Sequence, residues 1–160
     1  FKDPDRLLRE AGLRRGQTVL EVGCGPGYYT IPASRIVGEE GAVYALDVHP
    51  KAIDSVRKKI EKKKAANVRP VTANAADAGL EDGSVDLSFI FGLRHVAGGL
   101  ESVAAEMNRV LKGGGLLSIE RTRGPEDELI DLIRKCGFGY QGKRGRIMVF
   151  RKNSGYSRGG

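Results

Sequence analysis

The segment Glu21-Val22-Gly23-Cys24-Gly25-Pro26-Gly27 contains the residue types of a ligand-binding turn. Its three glycines allow the backbone to turn tightly, and they let a ligand lie against main-chain atoms where a Cβ would collide. The segment follows a β-branched apolar run and precedes a helical pattern, so we expect it to connect a strand to a helix. Glycines also make ordinary turns, so the surrounding sequence must decide whether this turn binds a ligand.

The spacing of the glycines separates two classes of cofactor. A nicotinamide-binding fingerprint, G-x-G-x-x-G, requires a third glycine where this chain has Tyr28. A helix N-terminus favours a diphosphate, whereas a cofactor with an amino-acid end and a cationic sulfonium is stabilised by a nearby carboxylate. Glu21 lies two residues before the first glycine. Its carboxylate could contact the ammonium group at the amino-acid end of such a cofactor, directly or through water.

Asp47 ends the second predicted strand. Ligands of open α/β sheets bind outside the carboxyl ends of the strands, and a carboxylate there can accept both hydroxyls of a ribose. Asp47 is therefore the candidate ribose ligand. The alternative is that it caps the helix that follows.

Two ionisable side chains follow the fourth predicted strand. The neutral imidazole of His95 could act as a general base, or His95 could order the loop or face solvent. Arg94 could bind an anionic substrate or a developing enolate-like oxygen, or be a surface arginine. We expect His49 to line the ribose rim, and Tyr28 and Tyr29 either to pack in the core or to cover the amino-acid end of the cofactor.

Strand and helix patterns alternate along the chain, which predicts a mostly parallel sheet with helices on both faces. We expect one domain over residues 1–152 and a flexible basic tail at 153–160. The glycines at 113–115 are expected to end the fourth long helix. The predicted strands are 18–22, 42–48, 68–73, 85–91 and 116–120, the helices are 3–11, 28–37, 50–65, 100–111 and 126–136, and a closing hairpin joins 138–141 to 146–151.

The motifs resemble, in order, those of class I S-adenosylmethionine-dependent methyltransferases. The segments that carry this resemblance are 21–27, Asp47, Asn74-Ala75, 86–96 and 111–120, and it extends over about residues 7–151. Ala73-Asn74-Ala75 and Phe91-Gly92-Leu93-Arg94-His95-Val96 are more narrowly similar to the ubiquinone/menaquinone-biosynthesis C-methyltransferases. His95 replaces the Asn of that group. Its lid insertion is also absent, because only residues 121–125 separate the fifth strand from the last helix.

The resemblance implies a doubly wound, Rossmann-like sheet closed by an antiparallel hairpin, with S-adenosyl-L-methionine as the cofactor. Asn74 would accept from the adenine amine and the Ala75 amide would meet a ring nitrogen. Asp77 competes for this role, and Asn74 could be only a turn residue. The implied cofactor-binding set is Glu21, Gly23, Cys24, Gly25, Gly27, Thr30, Asp47, Val48, Asn74, Ala75 and Phe91, and the candidate catalytic residues are His95 and Arg94.

The formal net charge of +7 is unevenly distributed. Residues 51–69 hold eight Lys and Arg against Asp54 and Glu61, and residues 141–160 hold six and no acid. We interpret these stretches as a solvated helix face and a basic tail. Attraction to nucleic acid, an anionic membrane surface or an acidic substrate is the alternative.

Several substrate classes lack their signals in this sequence. There is no N/D-P-P-Y/F motif of amino-group nucleic-acid methyltransferases, and neither cysteine is placed for thiolate chemistry on a pyrimidine. No aromatic residue interleaves with the basic stretch at 51–69. We therefore expect an enzyme that methylates a small-molecule acceptor. The alternatives are a methyltransferase-fold module that binds cofactor or a partner without turnover, and a basic RNA-modifying protein.

Cys24 and Cys136 lie far apart and form no metal-spaced pair. Neither a disulfide framework nor a metal site is predicted, and a reducing, cytoplasmic environment is expected. No apolar run approaches the roughly 18 residues of a membrane-spanning helix. A homo-oligomer, such as a dimer that covers an open site, is compatible with the sequence.

Overall fold

In the computed structural model, which describes residues 3–93, 99–121 and 124–155, helices and strands alternate along most of the chain. The helices are α1 (Pro4–Glu10), α2 (Thr30–Val37), α3 (Pro50–Lys63), α4 (Leu100–Val110) and α5 (Glu126–Lys135). The strands are β1 (Thr18–Val22), β2 (Ala42–Asp47), β3 (Val68–Thr72), β4 (Val85–Leu93), β5 (Leu111–Arg121), β6 (Phe138–Arg144) and β7 (Ile147–Lys152).

The described strands form one sheet in the order β3-β2-β1-β4-β5-β7-β6. The first five strands run parallel to their neighbours, and β7 lies antiparallel between β5 and β6. The chain reverses direction across the sheet between β1 and β4, which is the switch point where open α/β sheets bind ligands. The predicted doubly wound sheet with an antiparallel closing hairpin is confirmed.

Each face of the sheet has its own apolar core. The side chains of Val19 and Phe89 pack with α1, α2 and α3, whereas those of Leu20 and Ile90 pack with α4 and α5. β7 alternates in the same way, with Ile147 and Val149 on the first face and Met148 and Phe150 on the second. This alternation follows from the two-residue period of a strand, and it fixes which residues can point toward each layer.

Local sequence sets several helix boundaries. The Asp3 carboxylate accepts from the backbone amides of Asp5 and Arg6 at 3.1 and 3.4 Å, so it caps α1. Pro50 opens α3, where its missing N–H costs nothing. α3 ends at Lys63, and its C-cap residue, Lys64, adopts a left-handed φ of 54°. α2 begins at Thr30 instead of the predicted residue 28, because the glycine-rich turn continues to the preceding residue.

The prediction for residues 111–116 is wrong. Gly113-Gly114-Gly115 was expected to be a loop that ends a helix at residue 111, but α4 ends at Val110 and β5 begins directly at Leu111. Leu111 pairs with Val85, so the strand has already started before the glycines.

The glycines instead form an excursion within β5. Leu111 pairs with Val85 and Leu116 pairs with Leu87, so residues 112–115 lie opposite a single residue of β4. Gly114 has a φ of 78°, which a side chain would make strained. A Cβ on Gly115 would lie 2.9 Å from the Lys112 carbonyl oxygen and 3.0 Å from that of Asp86.

The remaining boundaries agree with prediction to within three residues, the first six elements and the closing hairpin included. None of the described helices is both long and apolar enough to span a membrane.

Candidate functional site

The turns after β1 and β2 are joined by backbone hydrogen bonds at the carboxyl edge of the sheet. The amides of Gly23 and Cys24 both donate to the Leu46 carbonyl oxygen, at 2.8 and 2.9 Å. The Ala73 amide donates to the Asp47 carbonyl oxygen at 3.1 Å. The ends of β1, β2 and β3 are therefore held side by side, and the residues predicted at each end share one edge.

The glycines of the first turn have two different surroundings. Gly23 and Gly25 have positive φ angles of 75° and 52°, and a Cβ on either would meet no atom within 4 Å. Their bare backbone borders open space that a ligand could fill. Gly27 is buried, and a Cβ there would lie 3.3 Å from Lys59 Cδ and 3.4 Å from Val56 Cγ2. Gly27 thus allows α3 to pack closely and does not face that space.

Glu21 is buried in β1, with 3% of its surface exposed. The Thr30 hydroxyl, at the start of α2, donates to its Oε1 at 2.5 Å. Burial raises the pKa of Glu21 from 4.5 to about 8; the Thr30 hydrogen bond opposes this shift, and the negative charge of Asp47 adds to it. Glu21 and Thr30, predicted from separate motifs, form one contact.

Asp47 is 8% exposed, and both of its carboxylate oxygens accept backbone hydrogen bonds. Oδ2 accepts from the Gly25 amide at 2.9 Å, and Oδ1 accepts from the His49 amide at 3.0 Å. His49 is itself the N-cap residue of α3, so Asp47 does not occupy the capping position. Each carboxylate oxygen keeps a lone pair for a further donor.

Glu21 and Asp47 have no cationic partner within 4.0 Å in the part of the chain that the structure describes. A buried carboxylate costs free energy unless a charge or hydrogen-bond donors compensate it. The edge thus offers two acidic side chains and an open, glycine-lined space beside them. A ligand that carries a cation and vicinal hydroxyls fits this set of hydrogen-bond acceptors.

Asn74 forms a turn after β3. Its Oδ1 accepts from the Ala76 amide at 2.8 Å, and its carbonyl oxygen accepts from the Asp77 amide at 2.9 Å. The turn role that the sequence left open for Asn74 is therefore real, and any adenine contact of Oδ1 would share this oxygen. Ala75 is buried. On the neighbouring turn, Val48 is 38% exposed, which is unusual for its type and provides an apolar surface next to Asp47.

A row of aromatic rings connects the glycine turn to β4. Tyr28 and Tyr29 contact edge to face with centroids 4.9 Å apart, and Tyr29 contacts Phe91 in the same way at 4.9 Å. Phe91 lies 4.8 Å from Phe89. Tyr28 is 51% exposed, whereas Tyr29 is half-buried. Tyr29 also packs against the apolar core of the first sheet face, whereas Tyr28 is exposed at the glycine turn.

Glu120, at the carboxyl end of β5, was not predicted as a site residue. It is 1% exposed, and its Oε1 accepts from the Gly92 amide of β4 at 3.1 Å. Burial raises the pKa of the Tyr29 hydroxyl, and the charge of Glu120 is the next cause, so the two groups are close. The signal in the sequence was an acid that closes an apolar strand, the feature that identified Asp47.

Cys24 is buried within the glycine turn. Burial, followed by the charges of Glu21 and Asp47, raises the pKa of its thiol to about 12. The thiol therefore stays protonated near neutral pH, which makes it a poor nucleophile. The candidate catalytic residues, Arg94 and His95, lie outside the described residues.

Comparisons with known proteins agree on one family. The family model described as a methyltransferase domain matches residues 19–115. The chain is 36% identical, over 121 residues, to a demethylmenaquinone methyltransferase of Staphylococcus aureus; the match covers 75% of this chain and 49% of that protein. The chain thus spans about half the length of the curated relatives it matches.

Two solved structures share the whole architecture. A SAM-dependent methyltransferase of Aquifex aeolicus is 30% identical with a TM-score of 0.80, over 93% of this chain and 88% of that one. The [4+2]-cyclase SpnF also has a TM-score of 0.80, over 95% of this chain and 81% of that one. At 15% identity the likeness to the cyclase concerns the fold alone.

Proposed function

The chain belongs to the S-adenosylmethionine-dependent methyltransferases, and from this membership we propose that it transfers a methyl group to a small-molecule acceptor of the quinol type. Support for the acceptor class comes from the 36% identity to a demethylmenaquinone methyltransferase. Support for the cofactor comes from the pair of buried carboxylates, Glu21 and Asp47, beside the open turn at Gly23 and Gly25. This pair is the observation on which the proposal mainly depends.

Each part of the proposed cofactor has a matching group at the carboxyl edge. Glu21 would meet the ammonium of the methionine end, while the backbone of Gly23 and Gly25 allows close approach. Asp47 would accept from the ribose hydroxyls. Val48 would cover one face of the adenine, and the turn at Asn74 and Ala75 would meet its edge.

When bound, S-adenosylmethionine supplies a methyl group already activated on a sulfonium, so the protein mainly has to align the acceptor. Tyr29 and Phe91, in edge-to-face contact, form an apolar wall that would exclude water from the reacting groups. Arg94 and His95 follow β4 in the chain. We propose that they face the acceptor, with His95 removing a proton if the acceptor must lose one.

Calorimetry with S-adenosylhomocysteine and NAD tests the cofactor. We expect S-adenosylhomocysteine to bind at micromolar level and NAD not to bind, because Tyr28 occupies the position of the third glycine that NAD requires. Comparable binding of NAD would contradict the cofactor assignment. Methylation of a reduced 1,4-naphthoquinone with a short isoprenoid chain, followed by mass spectrometry, then tests the acceptor.

One observation favours a second candidate function, a binding module without turnover. β5 ends at Arg121 and α5 begins at Glu126, so the connection that could enclose an acceptor has only four residues. Binding of S-adenosylhomocysteine without methylation of any acceptor in a panel of quinols, phenols and amines would support this candidate.

Two further proposals concern the cellular location and the oligomeric state of the protein. We propose a cytoplasmic location, for which the free, buried thiol of Cys24 is the support, and imaging of a tagged full-length protein is the test. A homo-oligomer that covers the acceptor side of the site is also proposed. Light scattering with and without S-adenosylhomocysteine would measure the oligomeric state.

A further inference from the structure

We infer that Glu120 is a positioning residue of the acceptor side of the site. Through its hydrogen bond to the Gly92 amide, it fixes the end of β4 on which an acceptor would lie. The inference rests on the proposed function, because it concerns the group that receives the methyl. It adds a residue that neither the glycine turn nor Asp47 accounts for.

The strand register places Gly92 beside the cofactor turn. Glu21 of β1 pairs with Phe89 of β4, and Phe91, two residues farther along, contacts Tyr29, which follows the glycine turn. Gly92 is the next residue, it is exposed, and a Cβ there would meet no atom within 4 Å. The backbone of Gly92 therefore borders open space, next to a residue that contacts the segment after the glycine turn.

β4 is irregular at this point. Ile90 pairs with Ile119 and Leu93 pairs with Arg121, so two residues of β4 lie opposite one residue of β5. That residue is Glu120, and Gly92 takes a positive φ of 66°. This is a β-bulge, a device that redirects a strand and is common beside active sites. A bulge removes backbone groups from the regular ladder, and here the Glu120 carboxylate accepts the Gly92 amide in place of a ladder carbonyl.

The Glu120 side chain is buried, so its proposed effect on an acceptor is indirect. With 1% of its area exposed, it does not offer its carboxylate to a ligand. The contact through which it would act on an acceptor is the hydrogen bond to Gly92, next to Phe91, which packs against Tyr29. The expected role is therefore to hold the bulge in one conformation, and a Glu is suited to it because a carboxylate makes a stronger hydrogen bond to an amide than a neutral acceptor does.

Three variants test the inference: Glu120→Ala, Glu120→Gln and, as a matched control, Asp86→Ala. Asp86 also accepts a backbone amide, that of Thr18 at 2.8 Å, but at the opposite edge of the sheet. We measure the affinity for S-adenosylhomocysteine by calorimetry, kcat and KM for the reduced naphthoquinone probe, and hydrogen exchange of the Gly92 amide by NMR. These measurements distinguish a local effect on the bulge from a general loss of protein stability.

We expect Glu120→Ala to lower kcat/KM for the probe by about tenfold, the scale of one hydrogen bond to a charged group, mainly through KM. Its affinity for S-adenosylhomocysteine stays within about twofold, and its Gly92 amide loses protection. Glu120→Gln keeps most of the activity and the protection, because its amide oxygen can still accept. Asp86→Ala loses stability but keeps the KM for the probe.

Three results would overturn the inference: an unchanged KM in Glu120→Ala, an equal loss in Glu120→Gln and Glu120→Ala, or an equal rise of KM in Asp86→Ala. A wild-type protein that binds S-adenosylhomocysteine but leaves the probe unmethylated would instead contradict the proposed acceptor. In that case hydrogen exchange of the Gly92 amide tests the inference. Loss of protection in Glu120→Ala alone would support it, and equal exchange rates in all variants would contradict it.

Discussion

Glu21 carries a proton at pH values where most glutamates are ionised, and this couples the fold to pH. Its pKa is raised from 4.5 to about 8, chiefly by burial. Between these values the folded protein holds a proton that the unfolded chain has released. The contribution of this proton to stability is full below pH 4.5 and is lost as the pH rises through 8.

We therefore expect the ligand-free protein to lose stability as the pH rises from about 5 to 8, relative to a Glu21→Gln variant that cannot titrate. The difference between the two proteins across this window is on the order of 4 kcal/mol, from the size of the shift. Urea unfolding at several pH values measures it. Glu81→Gln, at an exposed acid, is the control and should follow the wild type. Parallel pH profiles for wild type and Glu21→Gln would contradict the raised pKa.

Asp47 tests the ribose assignment. Asp47→Ala removes a charged acceptor that lies at the carboxyl end of β2, and we expect it to weaken binding of S-adenosylhomocysteine by about 1.5–3 kcal/mol. Asp47→Asn keeps one acceptor for the Gly25 amide, so its loss should be smaller. Calorimetry gives both values.

Asp77→Ala is the comparison variant for Asp47, because Asp77 competes for a cofactor contact. We expect Asp77→Ala to bind within about twofold of wild type. Loss of binding in Asp77→Ala with unchanged affinity in Asp47→Ala would show that the motifs are misassigned.

The sequence pattern placed Glu21 and Asp47 near the carboxyl ends of their strands, as the structure has them, but it did not single out Glu120. Glu21 and Asp47 could be placed because their strands are short apolar runs followed by turns. The role of Glu120 depends on a bulge in β4, which arises from pairing with β5 and has no local signature. Gly27, in the same motif as Glu21, also packs against α3, because a Cβ there would lie 3.3 Å from Lys59 Cδ. Its place in the cofactor-binding set stays a prediction.

At the scale of elements, β1 matched its prediction residue for residue, whereas β5 did not. Residues 18–22 form a compact β-branched run that favours a strand without help from its surroundings. The glycines of residues 113–115 favour a loop locally. They belong to a strand only because Leu111 already pairs with Val85. These two residues are far apart in the sequence, so their pairing cannot be read from the few residues around the glycines.

The excursion in β5 can be tested with two glycine substitutions. Gly115→Ala should destabilise the protein by about 1–3 kcal/mol, because its Cβ would collide with backbone oxygens that cannot move freely. Gly113→Ala is the matched control: it lies two residues away, at a site where a Cβ meets no atom within 4 Å, and should be nearly neutral. Urea unfolding measures both. Equal free energies of unfolding for the Gly115→Ala and Gly113→Ala variants would mean that the excursion can accommodate a side chain.

At the scale of the whole molecule, many of the basic residues behind the net charge of +7 are clustered on α3. Lys62 and Lys63 lie in its last turn, where positive charge stabilises the negative end of the helix dipole. Lys59 is different, because its aliphatic stem packs next to Gly27. The described exposed aromatic residue, Tyr28, lies at the cofactor edge and not among these lysines.

We therefore predict that the charge supports solubility and does not form a nucleic-acid site. Stacking on aromatic rings usually accompanies binding of single strands, and this surface offers none in the described residues. Wild type should bind a single-stranded RNA probe only at low salt and above roughly micromolar concentration, the range of non-specific contacts. Substituting Lys58, Lys62 and Lys63 by Gln should reduce solubility, because the net charge falls toward zero.

The control for the lysine variant removes the same charge elsewhere, at the exposed residues Arg9, Arg14 and Arg15. If the lysines act only through charge, the two variants should lose solubility and residual RNA binding to a similar extent, because long-range attraction depends on the total charge and is screened by salt. Fluorescence anisotropy across a salt series makes the comparison. Tight binding at physiological salt, abolished by the lysine variant and retained by the arginine variant, would instead make α3 a specific RNA-binding surface and change the proposed acceptor class.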